Sequence, residues 1–376
     1  MSIIKNTVYN CIGIAMRIFP IKKNKIMFLS NNSTSISCNP KYIAEYLNIK
    51  DEYDLVWSLN KKVMEAEDIP KGMRAVRYLS IEYFYEIATA KIIISNHRHN
   101  FFKRNRQKYI QTWHSSMRLK KIEGDAPEGL SKGYKKTAKH DSANTDVIIS
   151  GCEFSTRFFK KSFWYDGEVA KTGTPRIDYL LSADTKDKDK VKTYFECYDN
   201  LVLYAPTFRT RADISFYDID ADRIVQAAKE KLGGSYKVLS RLHPNLANRF
   251  DELKSSENLL NATTYSDIQE LIVASEIVIT DYSSLMFDCA FIHKPCILYM
   301  PDYDEYTSKE RGLYFDIKEL PFPKAYTLDE LTECIKNFDK SEYDRKIDAF
   351  LERIGSYEDG HACERISKII EKFTKE

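Results

Sequence analysis

Five short segments place histidine, arginine, serine or aspartate where an anion could be handled. In 109–116 a strand-like run, Tyr-Ile-Gln-Thr-Trp, ends in His114-Ser115-Ser116, with Arg118, Lys120 and Lys121 just beyond. A histidine, with an ordinary pKa of about 6.5, can take a hydroxyl proton near neutral pH, and the neighbouring cations suit a phosphate. Taken alone, the same residue reads equally as a hydrogen-bonded histidine at a strand end. In 172–178, Gly173 and Pro175 set a tight turn, and Arg176 either pairs with Asp178 or reaches a phosphate. In 203–209 a strand runs into Pro206-Thr207-Phe-Arg209, followed by Arg211, offering a hydroxyl and a planar guanidinium fork or simply a solvated loop. In 239–244, Arg241 and His243 stand two residues apart on extended chain, so both point to one side and can face one anion, a charged His243 complementing a diphosphate. In 279–288 a buried strand turns at Asp281 into a helix opening at Ser283 and Ser284, with Asp288 one turn on. Free N–H groups and two hydroxyls at a helix start attract anions, although serines there also serve as plain caps.

These segments need a scaffold that gathers strand ends. Apolar, β-rich runs at 25–29, 55–59, 75–78, 92–95, 109–113 and 147–150 alternate with helical stretches, and a second series follows at 201–204, 236–239, 277–280 and 296–299. That alternation predicts α/β architecture with parallel sheets. A chain of 376 residues exceeds the usual reach of one core. The expectation is therefore two doubly wound domains facing a cleft, with ligands at the carboxyl ends of the strands. The boundaries read as an amphipathic helix over 1–24, a first domain over 25–185, a second over 186–355, and a C-terminal helix over 356–376 that can pack back on the first domain. The polar stretch 182–192 has almost nothing to bury and reads as the region of the boundary.

Composition narrows the function classes. The chain is 43% apolar and 30% charged with a net charge of +2, which fits a globular protein. Within 98–139, however, twelve Lys/Arg face three Asp/Glu, a belt expected to attract anions. Eight scattered cysteines, with no C-x-x-C and no histidine at metal-site spacing, read as reduced cytoplasmic thiols. No apolar run approaches the ~18 residues of a membrane span. Ile4, Val8, Ile12, Ala15 and Phe19 recur at helical steps ahead of Arg17, Lys22, Lys23 and Lys25. This segment is either a helix packed on its own domain or one lying on an anionic membrane surface. The basic residues come with no recognised nucleic-acid module, so no nucleic-acid partner is expected.

In their order and spacing the motifs resemble the CDP-glycerol:poly(glycerophosphate) glycerophosphotransferase family of teichoic-acid primases and polymerases. The likeness rests on Thr112-Trp-His114, Leu119-Lys-Lys-Ile, Gly173-Thr-Pro-Arg-Ile-Asp178, Tyr204-Ala-Pro-Thr-Phe-Arg209, Arg241-Leu-His-Pro244, Ile279-Thr-Asp-Tyr-Ser-Ser284 with Phe287-Asp288, and Arg311-Gly-Leu-Tyr-Phe315. The resemblance implies a GT-B-like pair of Rossmann-type domains and a CDP-glycerol or CDP-ribitol donor bound by the second. It also implies a lipid-linked glycan or polyol-phosphate acceptor, and a cytoplasmic enzyme on the inner membrane face. By it, His114 and His243 are the catalytic candidates, with His114 the base. Thr207, Arg209, Arg241, Asp281, Ser283 and Ser284 are placed at the donor. Arg118, Gly173, Pro175, Arg176 and Asp178 are placed at the acceptor or a turn, with Asp288 and Arg311 in support. No cofactor or metal is implied, and no Asp-x-Asp occurs at a likely strand end. One departure stands out: the family commonly has His-Gly-Thr where this chain has His114-Ser115-Ser116, a change that implies a different acceptor or alditol. The rival readings are a GT-B glycosyltransferase using a nucleotide sugar, and a non-catalytic protein binding anionic glycan or lipid through the basic belt.

Overall fold

The structure, a computed structural model, describes residues 3–66, 68–101, 103–209, 213–309 and 312–376. Arg211 and Arg311 lie outside them. The chain forms two compact units, Met1–Ser116 with Ile122–Tyr179 and Tyr357–Glu376, and Met117–Lys121 with Leu180–Ser356.

The first unit is built on seven parallel strands: β1 (Lys22–Leu29), β2 (Asp54–Leu59), β3 (Met73–Arg77), β4 (Ala90–Ser95), β5 (Lys108–Gln111), β6 (Val147–Ser150) and β7 (Glu168–Lys171), ordered 3-2-1-4-5-6-7. Strand periodicity explains why both faces are covered. Ile26 and Phe28 of β1 enter one core with Ile43, Leu47, Ile366 and Ile370, while Met27 and Leu29 enter another with Tyr83, Phe84 and Ile87. The second unit has β8 (Asn200–Tyr204), β9 (Tyr236–Ser240), β10 (Leu259–Asn261), β11 (Ser275–Thr280), β12 (Cys296–Tyr299) and β13 (Lys324–Ala325), all parallel and ordered 10-9-8-11-12-13. In each sheet the strand order reverses once, between β1 and β4 and between β8 and β11, the kind of point at which open α/β sheets bind ligands.

Several expectations change. β5 stops at Gln111 rather than Trp113, because Trp113 turns to a positive φ of 50°. The short strands β7, β10 and β13 carried too few apolar residues to be read. The polar stretch 182–192 contains a helix, Thr185–Tyr194, belonging to the second unit. Asp184 and Asp187 form its capping box, Val191 is fully buried, and Lys188 and Lys190 pair with Glu276 and Glu270 at 3.3 and 2.7 Å. Met117–Lys121, expected with the first domain, sits with the second unit. The Lys121 N–H donates to the Gly312 carbonyl (2.9 Å), the Tyr314 N–H to the Leu119 carbonyl (2.8 Å), and Lys120 bridges Leu313. Two segments that looked like separate family motifs are thus one paired element. At the C-terminal end, the helix Lys340–Ile354 stays with the second unit and stops at Gly355, whose φ is 63°. The helix Ala362–Lys375 buries Ile366, Ile370 and Phe373 in the first unit's core.

The basic belt is largely consumed inside the first unit. Arg98, 5% exposed at its side chain, binds Glu123 and Asp141; Lys103 binds Asp146; Arg104 donates to the carbonyls of Phe19 and Ala88. Exposed cations remain at Arg106 and at Lys132, Lys136 and Lys139, the last three on one helix, rather than along a continuous belt. All eight cysteines are free. The N-terminal helix Ile3–Ala15 and the turn after it pack in part on the first unit. Tyr9 packs on Phe84 (5.5 Å between centroids) and Phe19 on Tyr85 (5.1 Å), whereas Val8, Ile14 and Ile18 face solvent. Among the described residues no helix is long and apolar enough to cross a membrane.

Candidate active site

In the first unit the polar loops at the strand switch were not singled out by sequence. After β1 the chain passes through Asn31, Asn32 and Ser33 at φ values of 46, 56 and 65°, a left-handed run that asparagine tolerates through local hydrogen bonding. The Asn31 N–H donates to Asn96 Oδ1 (2.9 Å) and the Asn32 N–H to His97 Nδ1 (3.3 Å). Burial, with His99 and His114 nearby, lowers the His97 pKa to about 2, so its imidazole is neutral. The signal available in the sequence was a Ser/Asn cluster directly after an apolar run.

His114 follows β5 on backbone fixed from three sides. Gln111 Oε1 accepts from the Trp113 N–H (3.0 Å), Asn39 Nδ2 donates to the carbonyls of Thr112 and Trp113 (3.3 and 3.1 Å), and the Cys38 thiol approaches the His114 carbonyl at 3.6 Å. The imidazole is half-buried, tilted against the Trp113 ring at 5.0 Å. A strained, over-determined backbone carrying a partly accessible imidazole is an arrangement suited to a reacting group.

The unusual Ser116 has a local explanation. Its hydroxyl binds Thr174 Oγ1 (2.8 Å) and the carboxyl of Glu358, a residue not singled out by sequence. Glu358 Oε2 also accepts from the Thr174 N–H and Oε1 from the Thr174 hydroxyl, both at 2.8 Å. Although the residue as a whole keeps some exposure, its carboxyl is closely enclosed: a Cβ on Gly151 would lie 1.9 Å from it and one on Gly173 3.0 Å. Desolvation raises the Glu358 pKa to about 8 from 4.5. Between those values the folded protein holds a proton that the unfolded chain releases, so stability is greatest below about pH 4.5 and declines as pH climbs through about 8. Glu358→Gln should flatten that decline. Melting curves from pH 6 to 9 should show the variant gaining at least ~2–4 °C over the wild type at the alkaline end, the shift expected of about 1 kcal/mol in a unit of this size.

The segment 172–178 is a turn that clamps the returning C-terminal chain. Gly173 takes a φ of 80° and donates to the Ser150 carbonyl (3.1 Å), and Pro175 starts the helix Pro175–Ser182. Asp178 accepts from the backbone N–H groups of Ala362 and Cys363 (3.0 and 2.7 Å) at the start of the C-terminal helix. Arg176 is 6% exposed, its own N–H on Asn39 Oδ1 (3.1 Å) and its guanidinium near Cys38 Sγ (3.8 Å).

In the second unit the candidate donor residues collect at the carboxyl ends of β8, β9 and β11. Arg209 was read as a phosphate fork, but carboxylates already hold it: Nη2 binds Asp281 Oδ2 (2.9 Å) and Nε binds Asp302 Oδ2 (2.8 Å). Three rings surround its guanidinium, Tyr306, Tyr282 and Phe216, at 4.6, 5.1 and 5.1 Å. Asp281 further accepts from the Thr207 N–H (2.9 Å) and hydroxyl (2.5 Å), tying together the loops after β8 and β11. Asp281, Thr207 and Arg209 thus form a structural knot at the switch point.

Arg241 differs. Its guanidinium donates to the carbonyls of Tyr265 and Ala262, and among the described residues no carboxylate hydrogen-bonds it. Desolvation, only partly offset by the charge of Asp267, lowers its pKa to about 10. His243 is exposed; its Nδ1 accepts from the Asn245 N–H (3.2 Å), its ring leans on Phe208 (5.0 Å), and burial lowers its pKa. The expected imidazolium is therefore a neutral ring with its proton on Nε2. Ser283 and Ser284 are half-buried ahead of the helix Leu285–Phe291, with Ser283 Oγ accepting from the Leu285 N–H (3.3 Å). Asp288, 1% exposed, takes a bond from Gln269 Nε2 (3.3 Å), and Arg118 is 5% exposed. No group of three or more His, Cys, Asp or Glu side chains is arranged to hold a metal ion among the described residues.

Comparison with known proteins bears on the family and the fold. The chain is 31% identical over 372 residues to a teichoic acid poly(glycerol phosphate) polymerase of Bacillus subtilis, covering 94% of this chain and 49% of that protein, so it spans about half the length of that relative. It is 31% identical to a teichoic acid glycerol-phosphate transferase of Staphylococcus aureus, covering 93% of each. Its fold superposes on the wall teichoic acid polymerase TagF, in a histidine-to-asparagine variant soaked with CDPG, with a TM-score of 0.86, 29% identity, and 99% and 94% of the two chains covered. The two parallel sheets thus form a GT-B-like fold. Residues 13–372 match the family described as CDP-Glycerol:Poly(glycerophosphate) glycerophosphotransferase, and the chain belongs to that family.

Proposed function

We propose that the protein transfers an alditol phosphate, glycerol phosphate or ribitol phosphate, from a CDP-alditol to a hydroxyl of a teichoic-acid or related cell-envelope glycan precursor, releasing CMP. The observation that carries this reading is the contrast between the two arginines of the second unit. Arg209 is neutralised by two carboxylates, while Arg241 keeps a desolvated positive charge on carbonyls alone at the end of β9. A desolvated guanidinium that no carboxylate hydrogen-bonds, with only the nearby charge of Asp267 to offset it, is stabilised by an anionic ligand, and a donor diphosphate supplies one. His243 offers a neutral Nε2–H to a phosphate oxygen, and Ser283 and Ser284 offer hydroxyls. His114 takes the acceptor hydroxyl proton as that oxygen bonds the donor's β-phosphorus and the bond from this phosphorus to the CMP oxygen breaks. Positioning and charge stabilisation carry most of such a transfer.

The test is acceptor-dependent CMP release, with CDP-glycerol and CDP-ribitol supplied separately and a lipid-linked disaccharide as acceptor. Release from one of them, with its phosphorus in the product, supports the reading and names the alditol. Release of a nucleotide from a nucleotide sugar, with none from either CDP-alditol, replaces it with glycosyl transfer. Hydrogen bonds to charged groups contribute about 1.5–3 kcal/mol, so Arg241→Ala should lower kcat/KM for the donor roughly 10- to 150-fold.

The same reading places the enzyme on the inner face of the cell membrane. Ile14 and Ile18, 60% and 82% exposed beside Arg17, are the residues for contact with an anionic bilayer. Co-sedimentation with vesicles containing anionic lipid should fall several-fold in the Ile14→Ser/Ile18→Ser double variant, and an unchanged bound fraction would remove these side chains from membrane attachment.

A further inference from the structure

The carboxyl of Glu358 closes a ring of three oxygens beside the proposed base. Glu358 Oε1, Ser116 Oγ and Thr174 Oγ1 each touch the other two, with Thr174 at 2.8 Å from both Ser116 and Glu358. Three hydrogen bonds among three oxygens need three protons, one on each. The two hydroxyls supply two, so the third belongs to the carboxyl, and Oε2 is left as the carbonyl oxygen that accepts from the Thr174 N–H at 2.8 Å. Burial acts in the same direction, desolvation raising the Glu358 pKa to about 8. The charged groups on the neighbouring elements do not reverse it. Asp178 adds a negative charge that opposes ionisation. Glu153 is held by Lys171 (2.8 Å) and Tyr357, Asp359 by Arg365 (2.8 Å), and His361 pairs with Glu364 (3.5 Å).

The ring holds one side of the turn that carries His114, and Asn39 holds the other. Asn39 Nδ2 donates to the carbonyls of Thr112 and Trp113, while its Oδ1 accepts from the Arg176 N–H (3.1 Å). Residues 112–116 are thus fastened at two points to residues 174–176, through Asn39 before His114 and through Glu358 and Thr174 after it. Between those points Trp113 keeps a φ of 50°, a conformation that persists only where its surroundings enforce it.

We propose that Glu358, as a neutral acid, is a positioning residue for His114: its proton completes the ring that fixes Ser116 and, through Ser116, the place from which the imidazole meets the acceptor hydroxyl. The inference rests on the transfer reading above, in which His114 is the base. When Glu358 ionises, two protons remain for three contacts, and a carboxylate is left in a site whose burial disfavours charge. Ser116 then loses an anchor. A misplacement of about 1 Å can cost a reaction about 10²-fold. The rate should therefore be full below the Glu358 pKa and fall as pH climbs through about 8, a limb distinct from that of Arg241, which titrates at about 10.

The experiment follows acceptor-dependent CMP release across the alkaline range in the wild type, Glu358→Gln and Glu358→Ala, with circular dichroism at each pH to keep the comparison to folded protein. The wild-type rate should fall about tenfold per pH unit above the Glu358 pKa. Glu358→Ala should lower kcat about 10- to 100-fold, with KM for the CDP-alditol within a few-fold because the donor residues belong to the second unit. Glu358→Gln should recover most of that loss and abolish the alkaline fall, since its amide nitrogen donates where the acid proton did and its carbonyl accepts from Thr174. An alkaline limb unchanged in Glu358→Gln, or a kcat in Glu358→Ala equal to that of the wild type, overturns the proposal.

A measurement without substrate separates this inference from the transfer reading. In protein carrying ¹³C-labelled histidine, the His114 Cε1–H resonance, identified by its loss in His114→Ala, should shift as pH passes through about 8 in the wild type and stay still in Glu358→Gln. No CMP from either CDP-alditol defeats the transfer reading alone. A wild-type resonance that does not move across that range overturns the link between Glu358 and His114 whatever the turnover.

Discussion

Replacing His114 with alanine should lower acceptor-dependent CMP release by about 10²- to 10⁴-fold, the range a positioned general base contributes. The fold should survive, because the ring is half-buried and the polypeptide around it is held by Gln111, Asn39 and Cys38, none of which bonds the imidazole. Two readouts separate a proton-accepting role from a merely structural one. The variant should keep its affinity for the CDP-alditol within a few-fold, since the donor residues belong to the second unit. It should also lose the acid limb of the pH–rate profile, the limb that an imidazole base creates as it becomes protonated. A variant that melts like the wild type and turns over at more than a tenth of its rate would take His114 out of the reaction.

The largest stability effect should come from Asp281→Ala. Asp281 is 3% exposed and holds one end of Arg209, the Thr207 N–H and the Thr207 hydroxyl. Removing it leaves a guanidinium among three rings with only Asp302 to balance it and unties the loops after β8 and β11. Breaking a buried pair from one side typically costs about 3–5 kcal/mol. The two-unit construction supplies a sharp way to see this. All three tryptophans, Trp57, Trp113 and Trp164, fall in the first unit. Urea unfolding of the variant should therefore show an early transition in far-UV circular dichroism, with no counterpart in tryptophan fluorescence. Coincident transitions at the wild-type midpoint would mean that the knot contributes little.

Much of this architecture was legible because parallel strands buried on both faces leave continuous apolar runs, as in Ile26–Leu29 of β1 or Ile277–Thr280 of β11. The edge strands were not, because β13 is only two residues long and β7 buries a single residue fully. A polar tract such as 185–194 hides a helix when one valine and two ion pairs suffice to seat it. The site divides along a similar line. His114, Arg241, His243, Ser283 and Ser284 stand out because each closes or follows a recognisable strand. Which arginine stays available for a ligand was beyond reach, because the carboxylates that neutralise Arg209 come from 72 and 93 positions away. Glu358 was hidden for the same reason: its partners Thr174 and Ser116 lie 184 and 242 positions upstream.

The return of the C-terminal helix to the first unit also sets an order of events during translation. Tyr42 leaves the ribosome 321 residues ahead of Cys363, the residue whose thiol meets its carbonyl, and the whole second unit is synthesised in between. Domains ordinarily fold in the order they emerge. Here the unit begun first is completed last, one face of its sheet covered only in part, by the helix Cys38–Asn48, while the second unit, whose strands all come from 200–325, closes on its own. A nascent chain arrested before Ala362 should accordingly present a protease-resistant second unit attached to a first unit that is still cleavable, and that waiting apolar face is where a ribosome-associated chaperone would have its longest opportunity to bind.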